Sequence, residues 1–166
     1  MLALNSKKAK CVYLLWLILI ILIREIKLVT MPRFWAEEGA LFYAFAYSHS
    51  FFENLTTIHV GYYTLLNVLI SSFSVLFPLK YAPYFTTFLG LSIQIISVVV
   101  IVFCESKWWN TTLKKVLISI VVIIISPPEL WINSTNAHFY LGLITLIILL
   151  SDSDSLSSFS RQHVLP

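Results

Sequence analysis

Long apolar runs broken by short polar stretches dominate this chain. Residues 12–23 are apolar throughout, preceded by Lys7, Lys8 and Lys10 and followed by Arg24, Glu25 and Lys27. The run reaches the length of a membrane span, about 9–29, if the flanking charges reach back to the two interfaces. No small-residue cleavage site follows it, so it reads as an uncleaved signal anchor. Further apolar segments predict helices over 61–77, 84–103, 115–126 and 138–150. Pro78 and Pro83 bracket one turn, and Pro127 and Pro128 mark another break. Residues 151–166 are rich in Ser and Asp and are expected to form a disordered polar tail.

The expected fold is therefore all-α: a polytopic bundle of four to five hydrophobic helices. Segment 61–77 differs from the rest, because Thr64, Asn67, Ser71 and Ser74 recur at steps of three and four on one helical face. Leu65, Leu69 and Phe73 lie opposite. Such a helix suits the interface, a re-entrant position or packing against other helices. If all five segments crossed, Lys107, Lys114 and Lys115 would lie outside, against the preference of Lys and Arg for the cytoplasmic side. If 61–77 does not cross, four spans remain and both termini are cytoplasmic. Two external regions then result, one from about Thr30 to Ala82 and one over 126–138.

Composition narrows the class. Hydrophobic residues make up 58% of the chain and charged residues 11%, against about a quarter charged in soluble domains. The expected location is a cell membrane, in the multi-pass manner of a bacterial inner-membrane protein, with the lipid bilayer as the main partner. The net charge is only +3, with no basic stripe for nucleic acid. Cys11 and Cys104 lack neighbours at metal-ligand spacing and imply no disulfide framework.

Candidate chemistry lies in the external regions. Phe34-Trp35-Ala36-Glu37-Glu38-Gly39 puts two adjacent carboxylates just beyond the first span. Glu37 and Glu38 together suit a divalent cation, and either suits a general base toward a sugar hydroxyl. Two solvated charges opening a short helix are the plainer alternative. His59, before the amphipathic segment, suits either a phosphate contact at a helix start or a structural contact. The second region, Asn133-Ser134-Thr135-Asn136-Ala137-His138-Phe139-Tyr140, is dense in hydrogen-bonding groups. These suit a sugar or phosphate headgroup, or the capping of the last helix.

In order and placement, these motifs resemble the amino-terminal part of the GT-C-type glycosyltransferases, polytopic enzymes that use polyprenyl-phosphate-linked sugars. The acidic stretch is similar to the W-x-E-D-G form found in uncharacterised membrane proteins of bacterial surface-polysaccharide clusters, with Glu38 where Asp is more usual. His59-Val60-Gly61-Tyr62-Tyr63 is similar to the start of an external helix in that group, and 133–140 to its N-x-x-N-x-H-aromatic loop. The resemblance covers about residues 10–150.

It implies transfer of a sugar from a polyprenyl-phosphate carrier at the external face. Glu38, with Glu37 as the alternative, would be the catalytic base or metal-associated acid. His59, Tyr62, Asn133, Asn136 and His138 would contact substrate. No cofactor is certain beyond the candidate cation. Members of this family carry many more spans, so a truncated or split enzyme with a partner membrane subunit is one expectation. A non-catalytic subunit, scaffold or inactive remnant is the rival.

Overall fold

Helix α1, Lys7–Arg24, carries its lysines in the first turn and Arg24 in the last, with apolar residues between. α2, Ile26–Thr30, continues it. The computed structural model describes Leu4 and residues 6–24, 26–59, 61, 63–124 and 132–151. Tyr62, the Pro127-Pro128 break and the tail from 152 onward lie outside the described residues. A π-helical segment, Glu38–Tyr43, runs directly into α3, Ala44–Ser48. α4, Phe51–Thr56, opens on a capping box: Ser50 Oγ accepts from the Glu53 amide, and the Glu53 carboxylate accepts from the Ser50 amide. α5 is Leu65–Ser74, α6 Ala82–Phe103, α7 Thr112–Ile124 and α8 Ala137–Leu149.

The described residues form helices and connecting loops, with no β-strand among them. α6 has 22 residues and Pro83 in its first turn, where a missing N–H costs nothing. Among the described residues it is the one helix long and apolar enough to cross a membrane. α7 and α8 have 13 residues each, a rise of roughly 20 Å.

α6 is the axis of the fold and packs against α1, α2, α5, α7 and α8. Leu17 and Ile21 of α1, Leu91, Val98 and Val102 of α6 and Ile123 of α7 form the main apolar core. Around this core many large apolar side chains face outward, and several polar ones are buried. Leu15, Trp16 and Ile23 of α1, Phe88 of α6, Leu117 and Val121 of α7 and Leu146 of α8 are exposed. Thr86, Thr87, Gln94 and Ser97 of α6 and Ser119 of α7 are buried. Gln94 Nε2 donates to the Tyr140 hydroxyl at 2.9 Å, joining α6 to α8.

The bundle has two distinct ends. At one, Lys10 from the start of α1 and Lys115 from the start of α7 both donate to Glu105, just past α6. Ser106 Oγ donates to the Leu150 carbonyl at 2.6 Å and brings the close of α8 to this end. The acidic stretch and residues 132–136 meet at the other.

α5 is shorter than the 61–77 expected, and its polar stripe has one clear environment. Asn67, Ser71 and Ser74 are buried, while Leu65 and Phe73 on the opposite face are exposed. Packing against neighbouring elements, rather than contact with water, is what the stripe does. Asn54, buried on α4, donates from Nδ2 to Ser72 Oγ at 2.7 Å and Ser71 Oγ at 3.4 Å. The reason is chemical: a buried amide needs acceptors, and the serine face of α5 supplies them.

A charge on this inward face would be buried without a partner. Ser71→Lys should lower stability by about 3 kcal/mol or more, whereas Thr56→Lys on the exposed side of α4 should stay within about 0.5 kcal/mol. Thermal melts of the two purified variants beside wild type check this.

Candidate functional site

The acidic stretch folds as a tight turn into a helix. The Glu38 amide donates to the Trp35 carbonyl at 2.7 Å, and the Trp35 amide donates back to Glu38 Oε2 at 3.1 Å. Ala36, inside this turn, has φ +32°, a conformation unfavourable for a residue with a Cβ. Phe34 crosses so close over Gly39 that a Cβ there would lie 2.8 Å from Phe34 Cβ. The glycine is required by this approach. The π-helical register follows at once, and such segments recur at functional sites. Strain beside it is of the kind that surrounding contacts must hold in place.

Those contacts come from the second polar stretch. Glu38 is 2% exposed, and its Oε1 accepts from the Ser134 amide at 2.9 Å and the Ser134 hydroxyl at 2.6 Å. With the Trp35 amide on Oε2, the buried carboxylate has three donors. Asn133 is buried, and its Oδ1 accepts from the Asn136 amide at 2.8 Å, closing the loop before α8. This bond closes a turn within the loop and is not a side-chain cap on α8. The loop backbone lies directly against α6 at Gly90, where a Cβ would meet Asn133 backbone atoms at 3.1–3.2 Å. A side chain at position 90 would require the Asn133 backbone to give by a few tenths of an ångström.

Two of the motifs singled out in the sequence thus meet, across 96 residues of chain. No family model, no curated protein and no solved structure matches this chain.

The other candidate residues divide. Glu37, next to the buried acid, is half-buried. Asn136 precedes α8 without a side-chain cap bond. His138, in the first turn of α8, has its ring 4.2 Å from that of Phe139 and tilted against it by 37°, and its Nδ1 is buried without a hydrogen-bond partner. The buried hydroxyl of Thr135 is likewise unpartnered. Tyr62 lies outside the described residues. His59 is buried elsewhere, between the rings of Phe42 at 5.0 Å and Phe45 at 4.9 Å. Its Nε2 lies 3.4 Å from Asn54 Oδ1. Its partners are structural, and none of them belongs to the Glu38–Ser134 contact.

The donor set around Glu38 consists of the Trp35 and Ser134 amides and the Ser134 hydroxyl. Among the described residues no three His, Cys, Asp or Glu side chains gather at metal-binding spacing. Ser134 lies within the 133–140 stretch, and the family resemblance gives it no role of its own. Its only sequence signal is a small hydroxyl residue between two asparagines. Farther along the acidic helix, Tyr43 and Tyr47 stack with ring centroids 6.1 Å apart. With Val75–Leu79 they line an open cleft of about 530 Å³.

Desolvation holds the His59 imidazole below its usual pKa, so the folded state favours the neutral ring. As pH falls below the ordinary histidine value, the unfolded chain takes up the proton first and stability is lost. Between about pH 7 and pH 5 the melting temperature of wild type should fall more steeply than that of His59→Gln. Equal slopes would remove His59 as a source of acid sensitivity.

Proposed function

We propose that this chain is a multi-pass membrane protein whose Glu38–Ser134 junction is the polar centre of a sugar-transfer site of the GT-C kind. The carrying observation is the direct bonding of the acidic stretch to the Asn/Ser/His loop, since the resemblance assigns chemistry to both. The donor would be a polyprenyl-phosphate-linked sugar, which reaches a site at the bilayer edge by lateral diffusion. The exposed apolar faces of α1, α6, α7 and α8, with polar groups buried between them, support a lipid-facing bundle.

The pairing of helix ends supports four spans over five. Lys10, Glu105 and Lys115 meet at one end, which fits the lysine clusters on one cytoplasmic side. The acidic turn and residues 132–136 then face outside, and α5 packs among the external elements without crossing.

In this reading Glu38 Oε1 is the proton acceptor. An acceptor hydroxyl that replaces the Ser134 hydroxyl as donor to Oε1 is placed to pass its proton to the carboxylate as it attacks the sugar. Asn136 at the start of α8 and His138 in its first turn follow directly on Ser134, where amide and imidazole N–H groups would meet the carrier phosphate as charge develops on it.

One observation favours a second reading, a non-catalytic membrane subunit or remnant: both oxygens of Glu38 are already engaged. A buried acid of that kind also serves as a pure structural tie.

Two experiments decide. Single cysteines at Asn110 and Ile58, both exposed, in a background lacking Cys11 and Cys104, should label from opposite sides with an impermeant thiol reagent; labelling from the same side restores five spans. Sugar transfer from a polyprenyl-phosphate donor in reconstituted membranes should fall about a hundred- to ten-thousand-fold in Glu38→Gln and less in Glu37→Gln. An inactive wild type, or full activity in the double variant, would leave the structural reading.

A further inference from the structure

The lysine-bearing end of the bundle holds a second arrangement that the sugar-transfer reading does not use. An apolar groove of about 380 Å³ runs between α1 and α7, lined by Val12, Tyr13, Trp16, Leu113 and Val116 among others. It adjoins a polar cleft of about 280 Å³ lined by Lys10, Glu105, Asn110 and Lys115. Leu4 and Thr112 line both, so the two spaces are neighbours. Thr112 Oγ1 accepts from the Leu4 amide at 3.1 Å and fixes that boundary.

The polar cleft is cationic. Two ammonium groups face one carboxylate. Lys115 is buried, and its Nζ donates to the Val102 carbonyl at 3.2 Å and to Glu105 at 2.9 Å. Lys10 donates to Glu105. An ammonium has three N–H donors, so donors remain on both lysines after these bonds. Burial alone would raise the Glu105 carboxyl, but the hydrogen bonds from Lys10 and Lys115 outweigh it and its pKa is lowered. Glu105 therefore stays ionised and balances only one of the two cations. Lys7, Lys8, Lys107 and Lys114 are exposed in the adjoining helix starts and loop.

We infer that this end binds an anionic phospholipid, with its phosphodiester in the Lys10–Lys115 cleft and one acyl chain along the α1–α7 groove. The occupant follows from two requirements that a single molecule must meet together. The cleft has an uncompensated positive charge and N–H donors. The adjoining groove is almost wholly apolar and opens on the exposed face that carries Trp16, which is 61% exposed. A soluble anion satisfies the first and leaves the groove bare, and a neutral lipid satisfies the second and leaves the charge unmatched. Basic pockets between membrane helices recognise anionic headgroups in this way. The site is independent of any sugar transfer, and rests only on the reading that the chain sits in a membrane.

The test uses the full chain reconstituted in phosphatidylcholine vesicles with a minor fraction of brominated-chain lipid, a contact quencher of tryptophan. Brominated phosphatidylglycerol should quench more strongly than brominated phosphatidylcholine, and the excess should disappear in Trp16→Phe, which reports from the groove. Lys10→Gln should weaken the phosphatidylglycerol preference about five-fold, the effect of one lysine near an anionic surface. Ala9→Phe, which fills the groove and leaves the charges intact, should remove the excess as well and guards against a Lys10 variant that folds poorly. Inorganic phosphate should not compete. Equal quenching by the two lipids in vesicles that carry the chain, or an excess that survives Trp16→Phe, overturns the site. Competition by phosphate assigns the cleft to a soluble anion and overturns the lipid. A chain that fails to float with the vesicles overturns the membrane reading and the site with it.

Discussion

A buried carboxylate must be met by donors, and in this chain that requirement joins segments that are far apart in sequence. Glu38 is enclosed, and Ser134 satisfies one oxygen through both its amide and its hydroxyl. The cost of leaving such a group unpaired in an apolar setting is several kcal/mol, so the loop before α8 has little freedom to sit elsewhere. The local geometry follows from that. Ala36 is held at positive φ, Gly39 lets Phe34 pass, and Gly90 lets the loop backbone lie on α6. Each feature is unfavourable or unnecessary alone, and each is explained by bringing these two stretches into contact.

The same logic operates throughout the bundle interior. Asn54 finds the serines of α5, Gln94 finds Tyr140, and Lys115 finds Glu105 and the Val102 carbonyl. These contacts specify which helices are neighbours, a task that apolar packing does weakly when the surroundings are also apolar. Apolar residues fill the core between α1, α6 and α7 and also cover much of the outer faces of α1, α6, α7 and α8.

Much of this order was legible beforehand. A long apolar run with Pro near its start marked α6, found at Ala82–Phe103 against the expected 84–103. The acidic stretch and the 133–140 loop stood out because each concentrates polar groups between apolar runs. Their contact was not legible, because hydrogen bonding between distant residues leaves no periodic trace. Ser134 resembles any loop serine, and Gly90 any helical glycine, until the backbone that lies against it is seen. Periodicity identified the two faces of α5 but not their directions, since polarity alone does not say whether the partner is water or a buried amide such as Asn54. His59 suited either a phosphate contact or a structural one by residue type, and its surroundings of Phe42, Phe45 and Asn54 are a matter of packing that the sequence does not display.

Gly90 also sets a depth. It lies about two turns, roughly 12 Å, inside the start of α6, and the Asn133 backbone rests on it. In a bilayer crossed by α6, the loop carrying Ser134 would dip below the helix end, toward the hydrocarbon rather than up into the aqueous phase. A carboxylate anchored at that level would act in a medium of low polarity, where its field is poorly screened. Reactants dissolved in water would have to descend to it, whereas a molecule already tethered in the leaflet would travel sideways. The glycine, by admitting the loop to that level, would select for membrane-borne partners before any side chain contacts them.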